Sequence, residues 1–248
     1  MRNIKLTISY CGTAYHGWQS QKNATTVQDV LSSAILDLTG SKPQLTGCSR
    51  TDTGVHAKRF VCNFKSETKI PADKLSLALN TKLPPDIVCL SAEDVDMSFN
   101  ARFCAKKKCY TYYIQNSRFP DVFMQNRAWH FPYPLDLDAM KTASQAFLGI
   151  HDFVGFAASG FTVKTTVRTI YSLDIEKNND LLKITVTGNG FLYNMVRIIA
   201  GTLAFVGCGK IAASDMADII ASCDRKRAGI TAPAEGLYLT EVFYDEEG

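Results

Sequence analysis

Alternation of apolar and polar residues predicts a strand at the start of the chain and a helix soon after it. Residues 4–10 alternate with a period of two, which is typical of a half-buried strand. Apolar residues within 27–38 recur every three or four positions, the spacing of one helix face, and Gly40 is well placed to end this helix. Thr25 and Gln28 predict a capping box at its beginning.

The rest of the first half continues with strand, strand, helix and strand. A short strand is expected before residue 48, and residues 59–65 alternate again. Pro71 suits the first turn of a helix, and residues 87–90 form a buried apolar strand. The first half therefore has the order β-α-β-β-α-β.

The second half repeats this order with one extra helix. Its predicted elements are a strand around Tyr110, a helix over 137–147, a hairpin of 171–175 and 182–186 across the turn 178–180, helices over 191–206 and 214–223, and a strand over 237–244. Two ferredoxin-like split βαβ units account for the whole chain, so we predict an α+β fold with halves at 1–105 and 106–248. Sheets of this kind carry helices on one face and leave the other open.

Length and composition exclude several classes of protein. No apolar run in the 248 residues approaches the roughly 20 residues of a membrane span, and the first residues lead directly into a strand without room for a signal peptide. Eight cysteines without a Cys-x-x-Cys pair argue against a zinc site or a secreted disulfide scaffold and predict reduced thiols in the cytoplasm. A net charge of +3 means that any nucleic-acid surface must be local.

The stretch from Cys48 to Ala57 is the most informative for function. It brings a cation, hydroxyls, a carboxylate and an imidazole into one turn-prone run between apolar segments. One interpretation is a polar loop in which Asp52 caps a turn through its own backbone. The other is that the carboxylate of Asp52 is displayed for chemistry. His56, at the junction of loop and strand, suits a structural hydrogen-bonding role.

Arg197 is the second candidate. It is the only charged side chain between Gly190 and Lys210, in a segment that is apolar nearly all round and therefore expected to be buried. A buried arginine is rare unless it is paired. Either its guanidinium reaches the surface or a backbone carbonyl, or it pairs with a carboxylate in a cleft.

Positive charge is concentrated just before Tyr110. Such runs are usually solvated faces, and a strand tyrosine is usually part of a core. Beside a tyrosine, however, lysines and arginines are well placed to hold phosphates next to a stacking ring. The spacing of glycines predicts no phosphate-binding loop, and no cluster has metal-ligand spacing, so no metal is expected. The candidate phosphate-binding residues are Arg50, Arg102, Lys106, Lys107 and Lys108.

Three motifs resemble those of the TruA family of tRNA pseudouridine synthases. They are R-T-D-x-G-V-H-A at 50–57, K-x-Y-x-Y at 108–112 and F-x-Y-N-M-V-R at 191–197, and the closing segment 228–239 is similar as well. Two departures are small: Ser49 stands where the family often has glycine, and Cys109 where it often has a basic residue.

The resemblance implies a fold, an activity and a site. The two sheets are expected to join into one larger sheet, the pseudouridine synthase fold, in a homodimer that binds tRNA. Uridines at positions 38, 39 and 40 of the anticodon stem and loop would be isomerised without an external cofactor. Asp52 would attack C1′ or act as the base that forms a glycal, Arg197 would form a salt bridge with it, and Tyr110 would stack on the target base.

Two other functions remain open at this point. An RNA-binding module without chemistry would need the basic surface and Tyr110, but not a pairing of Asp52 with Arg197. A cofactor-free hydrolase with an aspartate nucleophile would usually require a second carboxylate as acid, which no motif supplies.

Overall fold

The structure is a computed structural model that describes residues 1–160 and 163–245. The chain divides into two compact units, one formed by residues 1–106 with the chain from Tyr238 onward and the other by residues 107–237. Both units contain helices and a multi-stranded sheet, which confirms the predicted α+β class. No helix within the described ranges is long and apolar enough to cross a membrane.

The first half has the predicted order of elements. Strand β1 is the middle strand, antiparallel to both β3 and β4, and the two-residue β2 pairs with β3. The elements are β1 (Arg2–Tyr10), α1 (Val27–Thr39), β2 (Thr46–Gly47), β3 (His56–Ser66), α2 (Ala72–Asn80) and β4 (Ile87–Val95).

Helix α1 begins one residue later than the capping-box pattern predicts. Its N-cap is Thr26, whose hydroxyl accepts a hydrogen bond from the backbone N–H of Asp29 at 3.3 Å. Thr25 does not cap the helix, and its carbonyl oxygen accepts a bond from the N–H of His16 at 2.9 Å. Gly40 ends the helix in the left-handed conformation with φ 71°, as predicted.

The second half contains the predicted strand, helices and hairpin and two short strands besides. Strand order is β5-β9-β8-β7 with antiparallel neighbours, and β6 is parallel to β5. Strands of two and four residues are too short to show a periodicity. The elements are β5 (Lys107–Gln115), β6 (Trp129–His130), α3 (Leu137–Ser144), β7 (Gly149–Asp152), β8 (Val167–Asn178), β9 (Leu181–Gly188), α4 (Met195–Gly207) and α5 (Met216–Ala221).

The hairpin of β8 and β9 is confirmed, and its strands are longer than predicted. Leu173 lies opposite Val186, as the alternation requires. A register shift between Ile170 and Ser172 then breaks the alternation. As a result Ile170 is buried and Tyr171 is 50% exposed, whereas strict alternation from the buried Leu173 would bury Tyr171.

The last strand, β10 (Leu237–Phe243), is parallel to the start of β3. Tyr238 pairs with His56 and Leu239 with Ala57, whereas β2 pairs with β3 further along, at Cys62 and Asn63. This edge of β3 is therefore occupied by two strands in succession. The long buried run of β3 fits its position between neighbours on both sides.

Candidate active site

Asp52 lies in the loop that joins β2 to β3. Its side chain is half-buried, and the preceding Thr51 is buried. The hydroxyl groups of Tyr10 and Thr51 are 2.8 Å apart, and the carbonyl oxygen of Thr51 accepts a bond from the N–H of Trp18 at 3.2 Å. The turn itself is closed by backbone atoms, since Val55 N–H donates to the carbonyl oxygen of Asp52 at 3.1 Å. The backbone on both sides of the carboxylate is thus fixed.

The glycine-rich loop after β1 packs directly against the Asp52 loop. A Cβ atom on Gly12 would lie 2.0 Å from the carbonyl oxygen of Val55, and one on Gly17 would lie 2.2 Å from that of Thr51. Gly17 also has a φ of 81°, which glycine adopts without strain. The two backbones approach so closely that neither position has room for a side chain.

His56 has a structural role of the kind predicted. It is buried, and its Nδ1 accepts a hydrogen bond from the N–H of Gly12 at 3.0 Å, so the hydrogen of the neutral ring is on Nε2. Its ring stacks on Tyr238 of β10 with centroids 4.5 Å apart. The imidazole therefore links the glycine-rich loop, the start of β3 and the last strand.

A buried pair of asparagines positions the loop that carries Arg102. Asn63 Nδ2 donates to Asn3 Oδ1 at 2.9 Å, and Asn63 Oδ1 accepts from the N–H of Ala101 at 2.9 Å. Asn3 Nδ2 in turn donates to the carbonyl oxygen of Phe99 at 3.0 Å. These bonds hold the backbone before Arg102 to the sheet, while Arg102 itself is exposed. Sequence reasoning missed both asparagines because each is one polar residue in a strand pattern.

In the second unit, Tyr110 lies on β5 opposite Val186 of β9. Its ring contacts Phe191 edge to face with centroids 5.1 Å apart, and it is only 6% exposed. Lys107 Nζ lies 5.8 Å from the centroid of the Tyr171 ring. The Tyr171 ring is available for this contact because of the register shift in β8.

Arg197 lies in the first turn of α4 and is half-buried, whereas the helix around it is buried as predicted. Its Nε donates to the carbonyl oxygen of Ala232 at 2.7 Å, and its Nη1 donates to Asn194 Oδ1 at 2.8 Å. Asn194 is the N-cap residue, with φ 60° and no side-chain cap bond. Its amide therefore orients the guanidinium group instead of capping the helix.

Residues 229–232 of the closing segment are packed onto α4 and hold Arg197 in place. The N–H of Ala232 returns a bond to the carbonyl oxygen of Arg197 at 3.1 Å, and the hydroxyl of Tyr112 donates to the carbonyl oxygen of Pro233 at 2.7 Å. Burial raises the pKa of Tyr112 well above its usual range, so this hydroxyl stays a neutral donor. The second tyrosine of the K-x-Y-x-Y motif is a structural support.

The candidate residues fall into two sets, one in each unit. Asp52, Arg50, Arg102 and Lys106 belong to the first unit, and Lys107, Lys108, Tyr110 and Arg197 to the second. The pairing of Asp52 with Arg197 has one partner in each set and stays a prediction. Within the described ranges, no three His, Cys, Asp or Glu side chains are placed to hold a metal ion, and the eight cysteines are free thiols.

The sequence matches the family described as tRNA pseudouridine synthase over residues 6–104 and 143–245. Similar proteins include tRNA pseudouridine synthase A of Thermoanaerobacter sp. (strain X514) and of Acetivibrio thermocellus, each 54% identical over 98% of this chain and 100% of the relative. The protein of the same name from Clostridium acetobutylicum is 47% identical over the same shares.

Among solved structures, a Cbf5-Nop10-Gar1 complex aligns with a TM-score of 0.42 and 10% identity, covering 95% of this chain and 48% of that chain. The family match extends over most of the sequence and includes both the Asp52 loop and the Arg197 helix. The relatives are matched along their entire length. The chain therefore belongs to the tRNA pseudouridine synthase family, a family of isomerases.

Proposed function

We propose that this protein isomerises uridine to pseudouridine at positions 38, 39 and 40 in the anticodon stem and loop of tRNAs. The observation that carries the proposal is the Asp52 loop. Its backbone is fixed at Thr51 and Val55, while its carboxylate is only half-buried. A fixed backbone holds a reacting group at a defined place, and partial exposure leaves it accessible to a large substrate.

Asp52 is the residue proposed to act on the target nucleotide. The C1′–N1 bond of uridine breaks, the uracil turns, and a C1′–C5 bond forms. N1 gains a proton and C5 loses one, so the reaction is balanced without a cofactor. Asp52 attacks C1′ as a nucleophile or removes a proton to give a glycal.

The remaining candidates are proposed to hold the RNA and the reacting carboxylate. Arg197, oriented by Asn194 and Ala232, is assigned as the cation that keeps Asp52 ionised. A uridine in a stem must leave its stack, at a cost of about a few kcal/mol, which stacking on Tyr110 would offset. Contacts to phosphates are assigned to Arg50, Arg102, Lys106, Lys107 and Lys108.

The setting of the reaction is part of the same proposal. A homodimer that binds one tRNA across both subunits, in the cytoplasm and without a metal or an external cofactor, is the arrangement expected for this family. It is supported by the match to relatives along the whole chain.

The substitution Asp52→Asn tests the function directly. It keeps the shape of the side chain and removes the nucleophile, so tRNA binding is expected to persist while pseudouridine formation is lost. The parent and variant proteins are compared by pseudouridine mapping on the same tRNA and by filter binding. Turnover by purified Asp52→Asn protein would favour an RNA-binding role for this loop over a catalytic one.

A further inference from the structure

An open pocket of ≈ 190 Å³ lies next to the Asp52 loop within the first unit. Trp18, Arg50 and Arg102 are among the residues that line it. Arg50 precedes Asp52 by two residues, so their Cα atoms are at most about 7 Å apart. A cavity needs only about 10–15 Å³ of such volume to hold one water molecule, so the pocket has room for a small polar group together with waters.

The pocket is positively charged. Arg50 and Arg102 are both exposed, and within the described residues neither forms an ion pair. No aspartate or glutamate is among the described residues that line the pocket. Two guanidinium groups without a carboxylate favour an anionic occupant.

Trp18 is a third polar residue of the lining, and its indole N–H is a hydrogen-bond donor. Trp18 is 3% exposed, and its Nε1 has no hydrogen-bond acceptor among the described residues. Every fully buried side-chain nitrogen or oxygen among these residues has a partner, so Nε1 is not fully buried. Trp18 lines the pocket, so its N–H is a candidate donor to an occupant.

The walls of the pocket are held in place by contacts of their own. A Cβ atom on Gly47 would lie 2.5 Å from Trp18 Nε1, so only glycine at this position lets the indole reach its site. The amide of Gln28 accepts from the N–H of Ser20 at 2.9 Å and donates to the carbonyl oxygen of Leu45 at 3.3 Å. Together with the asparagine pair behind Arg102, these bonds make the site preorganised for its ligand.

We propose that this pocket binds one backbone phosphate of the RNA strand that carries the target uridine, and that this contact decides which nucleotide reaches Asp52. The inference rests on the proposed function, because it takes the RNA strand as the ligand. Guanidinium groups bind phosphate oxygens with two parallel hydrogen bonds, and the indole N–H supplies a further donor. A neutral base in this pocket would leave both cations without a counter-charge.

The test uses anticodon stem-loop RNAs in which a single phosphate within three nucleotides of the target is replaced by an uncharged methylphosphonate. The full-length parent, Arg102→Gln and Trp18→Phe proteins are compared, with Arg118→Gln as a matched control. Arg118 is an exposed arginine of the second unit whose guanidinium carbon lies 5.2 Å from the Phe119 ring centroid. Affinity and kcat/KM are measured for each pair of protein and RNA.

For the parent protein, replacing the phosphate at one position, or at either of two neighbouring positions, is expected to lower affinity by roughly tenfold to a hundredfold. This is the effect expected from losing a hydrogen bond between charged groups. Arg102→Gln and Trp18→Phe should lower affinity for the unmodified RNA and show little further loss at those same positions. Arg118→Gln should keep the full effect of the methylphosphonates. Because Arg102 is exposed, its variant is expected to fold, so the comparison does not depend on Trp18→Phe.

Three outcomes contradict the inference. If each methylphosphonate lowers the RNA affinity of the pocket variants as much as that of the parent, the phosphate binds elsewhere. Quenching of Trp18 fluorescence by inorganic phosphate or uridine monophosphate, without any coupling to the RNA phosphates, would make this a site for free anions. If Arg102→Gln protein modifies the same nucleotide as the parent and binds the RNA with the same affinity, the pocket does not select the nucleotide.

The proposed function and the pocket can fail separately. If the parent protein forms no pseudouridine, the proposed function is wrong, but the affinity measurements with methylphosphonate RNAs still decide whether the pocket holds a phosphate. If pseudouridine forms and the couplings are absent, only the pocket assignment is wrong.

Discussion

Gly12→Ala is expected to disable the Asp52 loop while leaving most of the fold intact. The added Cβ atom would lie 2.0 Å from the carbonyl oxygen of Val55 and 2.6 Å from its carbonyl carbon. Real contacts of this kind begin at 3.0 Å, so the two backbones must separate by at least 1 Å. Val55 is hydrogen-bonded to Asp52, so the displacement reaches the carboxylate.

The size of the effect follows from that distance. Misplacing a reacting group by 1 Å lowers the rate by about a hundredfold, and overpacking lowers the free energy of unfolding by about 1–3 kcal/mol. The reaction releases the hydrogen at C5, so tritium release from uridine labelled at C5 measures kcat/KM. Filter binding measures tRNA affinity, and urea unfolding measures stability. A large fall in kcat/KM with a small change in affinity is expected.

Gly40→Ala is the matched control. Gly40 has φ 71° and no neighbour within 4 Å of an added Cβ, so alanine costs about 1–2 kcal/mol through backbone strain alone. This variant should lose comparable stability and keep its activity per folded molecule. A threefold change in kcat/KM corresponds to a barrier change under about 1 kcal/mol. If Gly12→Ala protein stays within about threefold of the parent, the link between loop position and catalysis is refuted.

Arg197→Met should lower pseudouridine formation by orders of magnitude and the free energy of unfolding by about 1.5–3 kcal/mol, the value of a hydrogen bond to a charged group. Arg2→Met, which loses hydrogen bonds to Asp94 and to the carbonyl oxygen of Ile70 in the first unit, controls for stability alone. Adding Asp52→Asn to Arg197→Met should recover part of the lost stability, and strictly additive losses in urea unfolding would mean that the two side chains do not interact. Replacing the three lysines before Tyr110 with alanine should reduce the slope of log affinity against log salt by about 2 to 3, and an unchanged slope would place the RNA surface elsewhere. The lysines are Lys106, Lys107 and Lys108.

The sequence by itself determined the kinds of secondary structure and singled out the candidate site residues. Periods of two and of three to four residues are local signals, so the first strand and helix α1 were predicted close to their observed bounds, and the β8–β9 hairpin was predicted with shorter strands. The candidate residues stood in short motifs whose composition is unusual within a few positions. A single charge in the apolar segment around Arg197 is such a signal, and it was visible without a structure.

Only the tertiary structure decided which distant residues support those groups. The contact of Gly12 with Val55, the bond of Asn3 to Asn63 and the stacking of His56 on Tyr238 join residues 43, 60 and 182 positions apart. Each of these residues looks ordinary within its own segment, because the partner that gives it a role is far away in the sequence. The register shift at Tyr171 and the burial of Trp18 are decided in the same way. Which atoms are buried depends on how whole segments pack, and no local pattern of residues records that packing.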